Sequence, residues 1–381
     1  MTNVAGQPAD AAHRVQTPLA HAAHLPGHIY NSPAIYALEK ERIFMKDWLC
    51  VGRAEEIAKP GDYMTFRITD EPIVVTRNGA GAIGAFANVC AHRGVEVAAG
   101  QGNTKEFMCP YHGWLYDLDG RLVGAPYMKE AAGFDPARCR LKPLKSGVWQ
   151  GWVFVNFDDG AVPLADYVAD WERELGFLHM ERCRLADKLV FDIQCNWKFA
   201  IENLVDIYHV KSVHATTFGA HVDPEKYEWS FWPRGCSTVF YPARPHTDTA
   251  EPLFAMNPTV ADRGLSFGVT GFLAPNFHLY GRCENFRPCV EWPLGVDRVR
   301  LTYYNLFPAE FHARPDFADG VARYRRYYSR AVEEDRGMME SLQRGMASRY
   351  FEPGRLSRFE NAIHHQLKYY VERMGDALAA G

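Results

Sequence analysis

Two short stretches, Cys90-Ala-His92 and Cys109-Pro-Tyr-His112, separated by sixteen residues, constrain this chain more than any other feature in it. Close Cys/His pairs on two loops are what a chain needs to close four ligands around one centre. Taken alone, two thiolates and two imidazoles can hold a tetrahedral Zn²⁺. Each loop supplies one of each, which also suits a two-iron cluster with both sulfurs on one iron and both imidazoles on the other. Gly94, Gly100, Gly102 and Gly113 suit tight loops around such a centre, and Pro110 stiffens the second loop.

The surrounding chain is read from its periodicity. Residues 1–28 form a polar, Ala- and His-rich stretch expected as a flexible arm, and 29–50 reads as one helix after a Ser-Pro start. From 51 to 158, short β-rich runs (DYMTFRI, PIVVTRN, GWVFVNF) alternate with Gly, Pro, Asn and Asp, the pattern of a small all-β domain. Residues 159–381 read as a second domain. It has helical patterns at 164–180, 197–215, 316–349 and 357–376, a weakly periodic segment at 216–265, and a hairpin from ENFRPCVEWP and DRVRLTYYNLFP.

Charge and cysteine usage narrow the function. The formal charge is -4, from 46 acidic and 42 basic residues, without a basic run, so a nucleic-acid partner has no electrostatic support. No stretch approaches the roughly 18 consecutive apolar residues of a membrane helix, and a cytoplasmic location is expected. The nine cysteines are irregularly spaced. That argues for metal ligation by a few and burial of Cys50, Cys139, Cys183, Cys195, Cys236, Cys283 and Cys289, not for disulfides.

A second constellation lies in NWKFAIENLVDIYHVKSVH, residues 196–214. On an ideal helix five residues advance about 140° beyond one turn, so His209 and His214 share a face only if the helix loosens, for instance through a π-type turn. Asp206, three residues before His209, does share its face. Two imidazoles and a carboxylate on one side of an iron leave open positions opposite, the set used by Fe(II) oxygenases. Glu333, Glu334 and Asp335 are candidates for the carboxylate. Asp335 lies on the stripe of Tyr328, Ala331, Val332, Met338, Met339 and Leu342, expected to face inward, where an acid is costly unless paired or metal-bound. Asp335 is therefore preferred, with the adjacent Glu334 left open.

Residues 90–116 resemble the Rieske family, with Cys-x-His-Arg-Gly followed by Cys-Pro-Tyr-His-Gly-Trp. Asn196, Trp197, Lys198, Glu202, Asn203, Asp206, Tyr208, His209 and His214 resemble the iron-binding helix of Rieske non-haem iron oxygenases, the α subunits of aromatic ring-hydroxylating enzymes. Pro275-Asn276 and Gln343-Arg344-Gly345 fit the same family. The resemblance implies an α+β chain, with an all-β Rieske domain inserted before a helix-grip catalytic domain of antiparallel sheet and helices. It implies a [2Fe–2S] cluster on Cys90, His92, Cys109 and His112, and Fe(II) on His209, His214 and Asp335 with Asn203 nearby. Asp206 would bridge to His112 of a neighbouring subunit.

The resemblance further implies O₂ as co-substrate and electrons from NAD(P)H through a reductase, directly or by way of a ferredoxin. The expected assembly is a homotrimer, or an α3β3 complex with a small β subunit. The expected substrate is a small aromatic compound, hydroxylated once or twice. The alternative is hydroxylation or oxidative N-demethylation of a quaternary amine or methylated compound. A Rieske electron carrier without oxygenase activity is a third reading, with about two irons per chain where the oxygenase has about three. A zinc protein is a fourth. Phe199, Asn203, Leu204, Val205, Val213, Phe218, Phe240, Phe272, Phe277 and Tyr280 are expected to supply an apolar wall. Arg234, Arg244, Arg282 and Arg287 are able in principle to grip a substrate carboxylate, although a surface or interface position is the commoner fate of such arginines.

Overall fold

A computed structural model of the chain describes residues 13–375 and Leu378; the first twelve residues of the expected arm lie outside them. The chain divides into two units, one running to Ile43 and resuming at Ala169, the other Phe44–Val168. Together they give the mixed α+β class expected from the sequence.

In Phe44–Val168 the β-rich runs pair into a seven-stranded antiparallel sheet. Edge to edge it runs Leu49–Arg53, Trp152–Asn156, Pro143–Trp149, Ile83–Ala87, Glu71–Arg77, Asp62–Ile68, Gln101–Asn103. A second sheet joins Glu106–Met108, Leu115–Asp117 and Leu122–Gly124. Val74, Phe86, Phe107, Trp114, Tyr116 and Leu141 pack into one core that also contains Cys90 and Cys109. This core places two thiols in apolar surroundings while the loops that carry them reach solvent.

The other unit is built on a seven-stranded antiparallel sheet ordered Cys183–Ile193, Arg298–Pro308, Cys289–Gly295, Phe277–Arg282, Gly268–Leu273, Gly235–Phe240, Ser230–Trp232. Its central strands are buried on both faces, which removes the apolar/polar alternation of a half-exposed strand. Its helices include α1 (Pro33–Glu39), α2 (Trp197–Val205), α3 (Val210–Val213), α4 (Phe317–Met346) and α5 (Asn361–Met374). Asn196 caps α2 by accepting the Lys198 N–H at 3.1 Å. Eight of the nine α2 residues are buried, because α2 packs on the sheet with α4 and α5 against it.

Several expectations need correction. The helix expected over 29–50 is a turn His28–Asn31, then α1, then a π-helical turn Lys40–Phe44, while Leu49 and Cys50 belong to a fully buried strand. A short apolar run fits either period, and strand pairing decided this one. Residues 164–180 form two short helices and 3₁₀ turns in place of one helix. The first hairpin strand begins at Cys289, after Pro288, which has no N–H to give the ladder. Residues 13–27 are no free arm: Val15, Ala22, Ala23 and Leu25 are buried, and His24 Nε2 meets Glu202 at 3.0 Å. On α4 the inward stripe holds for Tyr328, Ala331, Val332, Asp335 and Met339, but Met338 and Leu342 are exposed. Helical phase says which side a residue takes, not how far the covering elements extend.

Behind α2 lies a buried charge set that explains several motif residues. Glu39, wholly buried, accepts from Trp197 Nε1 at 2.6 Å and Tyr370 Oη at 2.7 Å, and pairs with Lys198 Nζ. The Lys198 ammonium lies 5.0–5.3 Å from the ring centres of Tyr30, Trp197 and Tyr370. Tyr30 Oη donates to Glu202 at 2.5 Å. Glu39→Ala strands the Lys198 cation, and a loss of about 3–5 kcal/mol in urea unfolding is expected. Adding Lys198→Met should restore most of it; a single variant as stable as the parent would show that the pair does not hold α2. Among the described residues no helix is long and apolar enough to cross a membrane.

Candidate functional site

The two Cys/His loops are built alike. Cys90 and Cys109 each accept, through their carbonyls, the N–H of a glycine four residues on, Gly94 and Gly113. Each also donates its own N–H to the carbonyl five residues on, Val95 and Trp114. Both glycines have φ in the left-handed region, +78° and +71°, which favours glycine there. Gly102, by contrast, lies on the strand Gln101–Asn103. The loops bring His92 and His112 together, with their Nδ1 atoms facing at 3.1 Å. His92 stacks on Trp114, and both histidines are exposed whereas both cysteines are buried.

Two imidazole nitrogens facing each other at a protein surface, beside two buried thiols, fit a shared metal group better than any protein partner. Tyr116 Oη accepts the Ala91 N–H at 3.0 Å, which leaves its own hydrogen for Cys90 Sγ 3.2 Å away. Burial, and then the Cys90 contact, pushes the Tyr116 pKa far up, so this donor is permanent. Hydrogen bonds to cluster sulfurs raise the reduction potential. Tyr116→Phe should therefore lower the potential, measured by redox titration, on the order of 50 mV, since 59 mV corresponds to a tenfold change for one electron. An unchanged potential would remove Tyr116 from the cluster environment.

The second constellation depends on a break in the chain. Helix α2 stops at Val205, and Asp206 is extended at φ −78°, ψ 115°. Asp206 Oδ1 accepts the Tyr208 N–H at 2.7 Å, closing a turn that helical continuation would forbid. A single helical turn, α3, follows, with His209 at its N-cap and His214 at its C-cap. The helix does loosen here, as expected, through this break and not through a π-type turn. The two histidines converge because the helix is interrupted before one and ends at the other. Gly219 is needed here: a Cβ would lie 2.5 Å from the Val210 carbonyl oxygen and 2.8 Å from that of His214.

Asp335, from α4, completes the set. Its Oδ1 lies 3.0 Å from His214 Nε2 and 3.5 Å from His209 Nε2, yet is buried without a directed hydrogen bond. The outer nitrogens are well directed: His209 Nδ1 lies 3.0 Å from Asp206 Oδ2, and His214 Nδ1 lies 2.8 Å from Glu334 Oε2. Thr216 and Thr217 donate to the same Glu334 carboxylate at 2.6 and 2.7 Å. Thus the adjacent acids take different places, Asp335 facing the inner nitrogens and Glu334 an outer one.

Three carboxylates around two imidazoles leave excess negative charge in a buried site. Burial pulls the His209 pKa down, but Asp206 and Asp335 outweigh it and bring it to about 9. Burial would raise Asp335, and the two imidazoles outweigh that to hold it below its usual range. The arrangement favours a cation at the convergence point. The donor atoms His209 Nε2, His214 Nε2 and Asp335 Oδ1 form one compact group, and carboxylates behind both imidazoles fix the tautomer that turns a lone pair inward.

The group opens on a cavity lined by Asn203, Leu204, Val205, Phe218, Phe240 and Tyr280, as expected, and also by Tyr227, Trp229, His246, Thr270 and Tyr303. Phe199, Val213, Phe272 and Phe277 are not among its lining residues; Phe199 stacks on Tyr30 and Phe277 lies near Trp171. Arg282 and Arg287, expected at a surface, are buried in the cavity wall, whereas Arg244 is exposed and Arg234 lies outside the lining. Period-two alternation from Tyr280 was a usable signal for Arg282. For His246, in the weakly periodic segment, none exists.

A family model described as the ring-hydroxylating alpha subunit catalytic domain matches residues 180–376, and one described as the Rieske [2Fe-2S] domain matches 47–142. The carnitine monooxygenase oxygenase subunit of Acinetobacter pittii (strain PHEA-2) is 30% identical over 338 residues, 85% of each chain. The benzene 1,2-dioxygenase subunit alpha of Pseudomonas putida is 38% identical over 202 residues, 50% of this chain and 44% of that one. A solved quaternary ammonium Rieske monooxygenase in complex with its substrate L-carnitine superposes with a TM-score of 0.76 at 26% identity, over 94% of this chain and 96% of that one.

Proposed function

The chain belongs to the Rieske non-haem iron oxygenases, the family of the ring-hydroxylating alpha subunits, and we propose that it is a terminal oxygenase for a small N-methylated amine. The family assignment makes it an oxidoreductase that uses O₂, a Rieske [2Fe–2S] cluster, a mononuclear iron and reductase-derived electrons. What carries the substrate reading is a facial set of two histidines and an aspartate opening on a cavity with Tyr227 and Trp229 in its wall. Aromatic faces suit an alkylated ammonium group. The relatives that match along most of the chain support this over the small-aromatic alternative, for which the benzene dioxygenase subunit matches only half.

In this reading Cys90, His92, Cys109 and His112 hold the cluster, and His209, His214 and Asp335 hold the iron. When bound, these groups supply single-electron transfer and the reduction of O₂ beside the substrate. The protein does the rest. Glu334 and Asp206 hold the imidazoles in register through their outer nitrogens. Asn203 lines the cavity one turn before the break and faces the substrate there. Leu204, Val205, Val210 and Phe218 keep water from the reacting position. Asp206 relays electrons by linking His209 to the exposed His112 of a neighbouring copy in a homotrimer, in a cytoplasmic protein served by a separate reductase.

The test is a substrate panel of N-methylated amines and simple aromatics with iron-loaded protein, a surrogate reductase and NADH. O₂ uptake coupled to loss of a methyl group or gain of a hydroxyl, measured by product mass, is expected with an N-methylated amine. Coupled turnover confined to aromatic compounds would replace this substrate reading with the other.

A further inference from the structure

Arg287 differs from every other cation around the cavity. Its side chain is buried, at 7% exposure, and its Nε and Nη1 atoms have no hydrogen-bond partner among the described residues. The guanidinium lies 3.0 Å from the centre of the Tyr328 ring and 5.6 Å from those of Tyr280 and Tyr303. Aromatic faces stabilise the charge but accept no in-plane N–H. Leaving such donors unmade in a buried site is costly.

The nearby Arg282 shows the contrast. Its Nε donates to the Arg244 carbonyl at 3.2 Å, its Nη1 to the Gly281 carbonyl at 2.8 Å, and its Nη2 to His246 Nε2 at 2.9 Å. Arg282 is thus fully occupied, and holds His246 as an acceptor. Burial, and then the two arginines, keep His246 uncharged. The acids around the metal group, Asp206, Asp335 and Glu334, are engaged with imidazoles. This wall therefore presents two fixed positive charges without a counter-ion. A further buried donor without a partner, Trp229 Nε1, lines the same cavity.

We propose that Arg287 is the seat for a carboxylate on the substrate, so that the enzyme selects zwitterionic N-methylated amines over cationic ones. The proposal rests on the cavity being the substrate site of an oxygenase acting on N-methylated amines. Nε and Nη1 sit on different edges of the guanidinium, but each shares an edge with Nη2, which likewise makes no hydrogen bond among the described residues, and such a planar edge matches a carboxylate in bidentate fashion. A lone ammonium would meet like charge at Arg282 and Arg287, with desolvation strengthening the repulsion. A betaine places its carboxylate there and turns its methylated nitrogen toward Tyr227 and Trp229.

The experiment uses iron-loaded full-length protein with two matched pairs, glycine betaine against choline and benzoate against benzene, plus L-carnitine. Substrate-coupled O₂ uptake and binding by calorimetry are measured for each. A carboxylated amine should bind and turn over, with choline at least roughly 100-fold weaker. Arg287→Gln should raise KM for the carboxylated amine by a similar factor, while retaining the cluster spectrum and the mononuclear iron. Arg287→Lys should fall between, keeping charge but losing the fork, and the wild-type discrimination stands as a test even if Arg287→Gln fails to fold. Choline handled as well as glycine betaine and L-carnitine, equal binding by wild type and Arg287→Gln, or no binding of any carboxylated probe would overturn the proposal. Benzoate oxidised in preference to benzene and to every amine would leave the arginine assignment standing and overturn the N-methylated-amine reading.

Discussion

Asp206→Asn should leave the protein folded and loaded with both metal groups, yet reduce steady-state substrate oxidation by at least roughly 100-fold. The asparagine carbonyl can still accept the Tyr208 N–H, so the turn between α2 and α3 persists. His209 loses its carboxylate partner at Nδ1, which alone costs about 10–100-fold in metal affinity or activity. The expected loss is larger because the same carboxylate is proposed to carry the contact to a neighbouring copy's His112. Two measurements separate these effects. Iron content and the cluster spectrum report binding. Single-turnover rates of cluster oxidation, after chemical reduction in the presence of substrate and O₂, report transfer. Asp206→Asn with normal coupled turnover would end the bridging role, as would normal cluster oxidation with slow turnover.

Asp335→Ala should lower iron from about three to about two per chain, abolish substrate oxidation and leave the cluster spectrum unchanged. Asp335 Oδ1 is the inner carboxylate atom, close to both Nε2 atoms and without another partner. Removing it leaves two imidazoles, too few donors to hold Fe(II) against solvent. Glu334→Gln is the informative companion. It keeps two hydrogen-bonding atoms near His214, Thr216 and Thr217 but removes the charge. Iron should remain bound with about 10–100-fold weaker affinity. Retention of the mononuclear iron by Asp335→Ala together with its loss from Glu334→Gln would exchange the two assignments.

The cluster loops were legible because their chemistry is local. Cys90 and His92, and Cys109 and His112, lie in two stretches, each closed by its own glycine turn, so spacing alone brings each thiol near its imidazole, while packing in one core brings the two stretches together. The helix-period reading of 197–215 was only half right. Trp197 to Val205 is helical, but the Asp206 side chain competes for the Tyr208 amide and ends it. Helical phase correctly preferred Asp335 as the inward acid, and wrongly extended the apolar stripe to Met338 and Leu342. Likewise, nothing in residues 13–27 announced that His24 would join Tyr30 on Glu202, 172 positions beyond Tyr30.

What the sequence by itself determined is the family, the two metal motifs and the identity of nearly every ligand candidate, because those depend on residue types at short spacing. Only the tertiary structure decided how Glu334 and Asp335 divide their tasks, since that depends on which imidazole nitrogen each acid meets across the fold. It alone also decided that Arg282 and Arg287 turn into the cavity while Arg244 stays exposed. Burial of a charge is a property of everything packed around it, and those neighbours, Tyr280, Tyr303 and Tyr328 among them, come from separate strands and a helix that meet only in the folded chain.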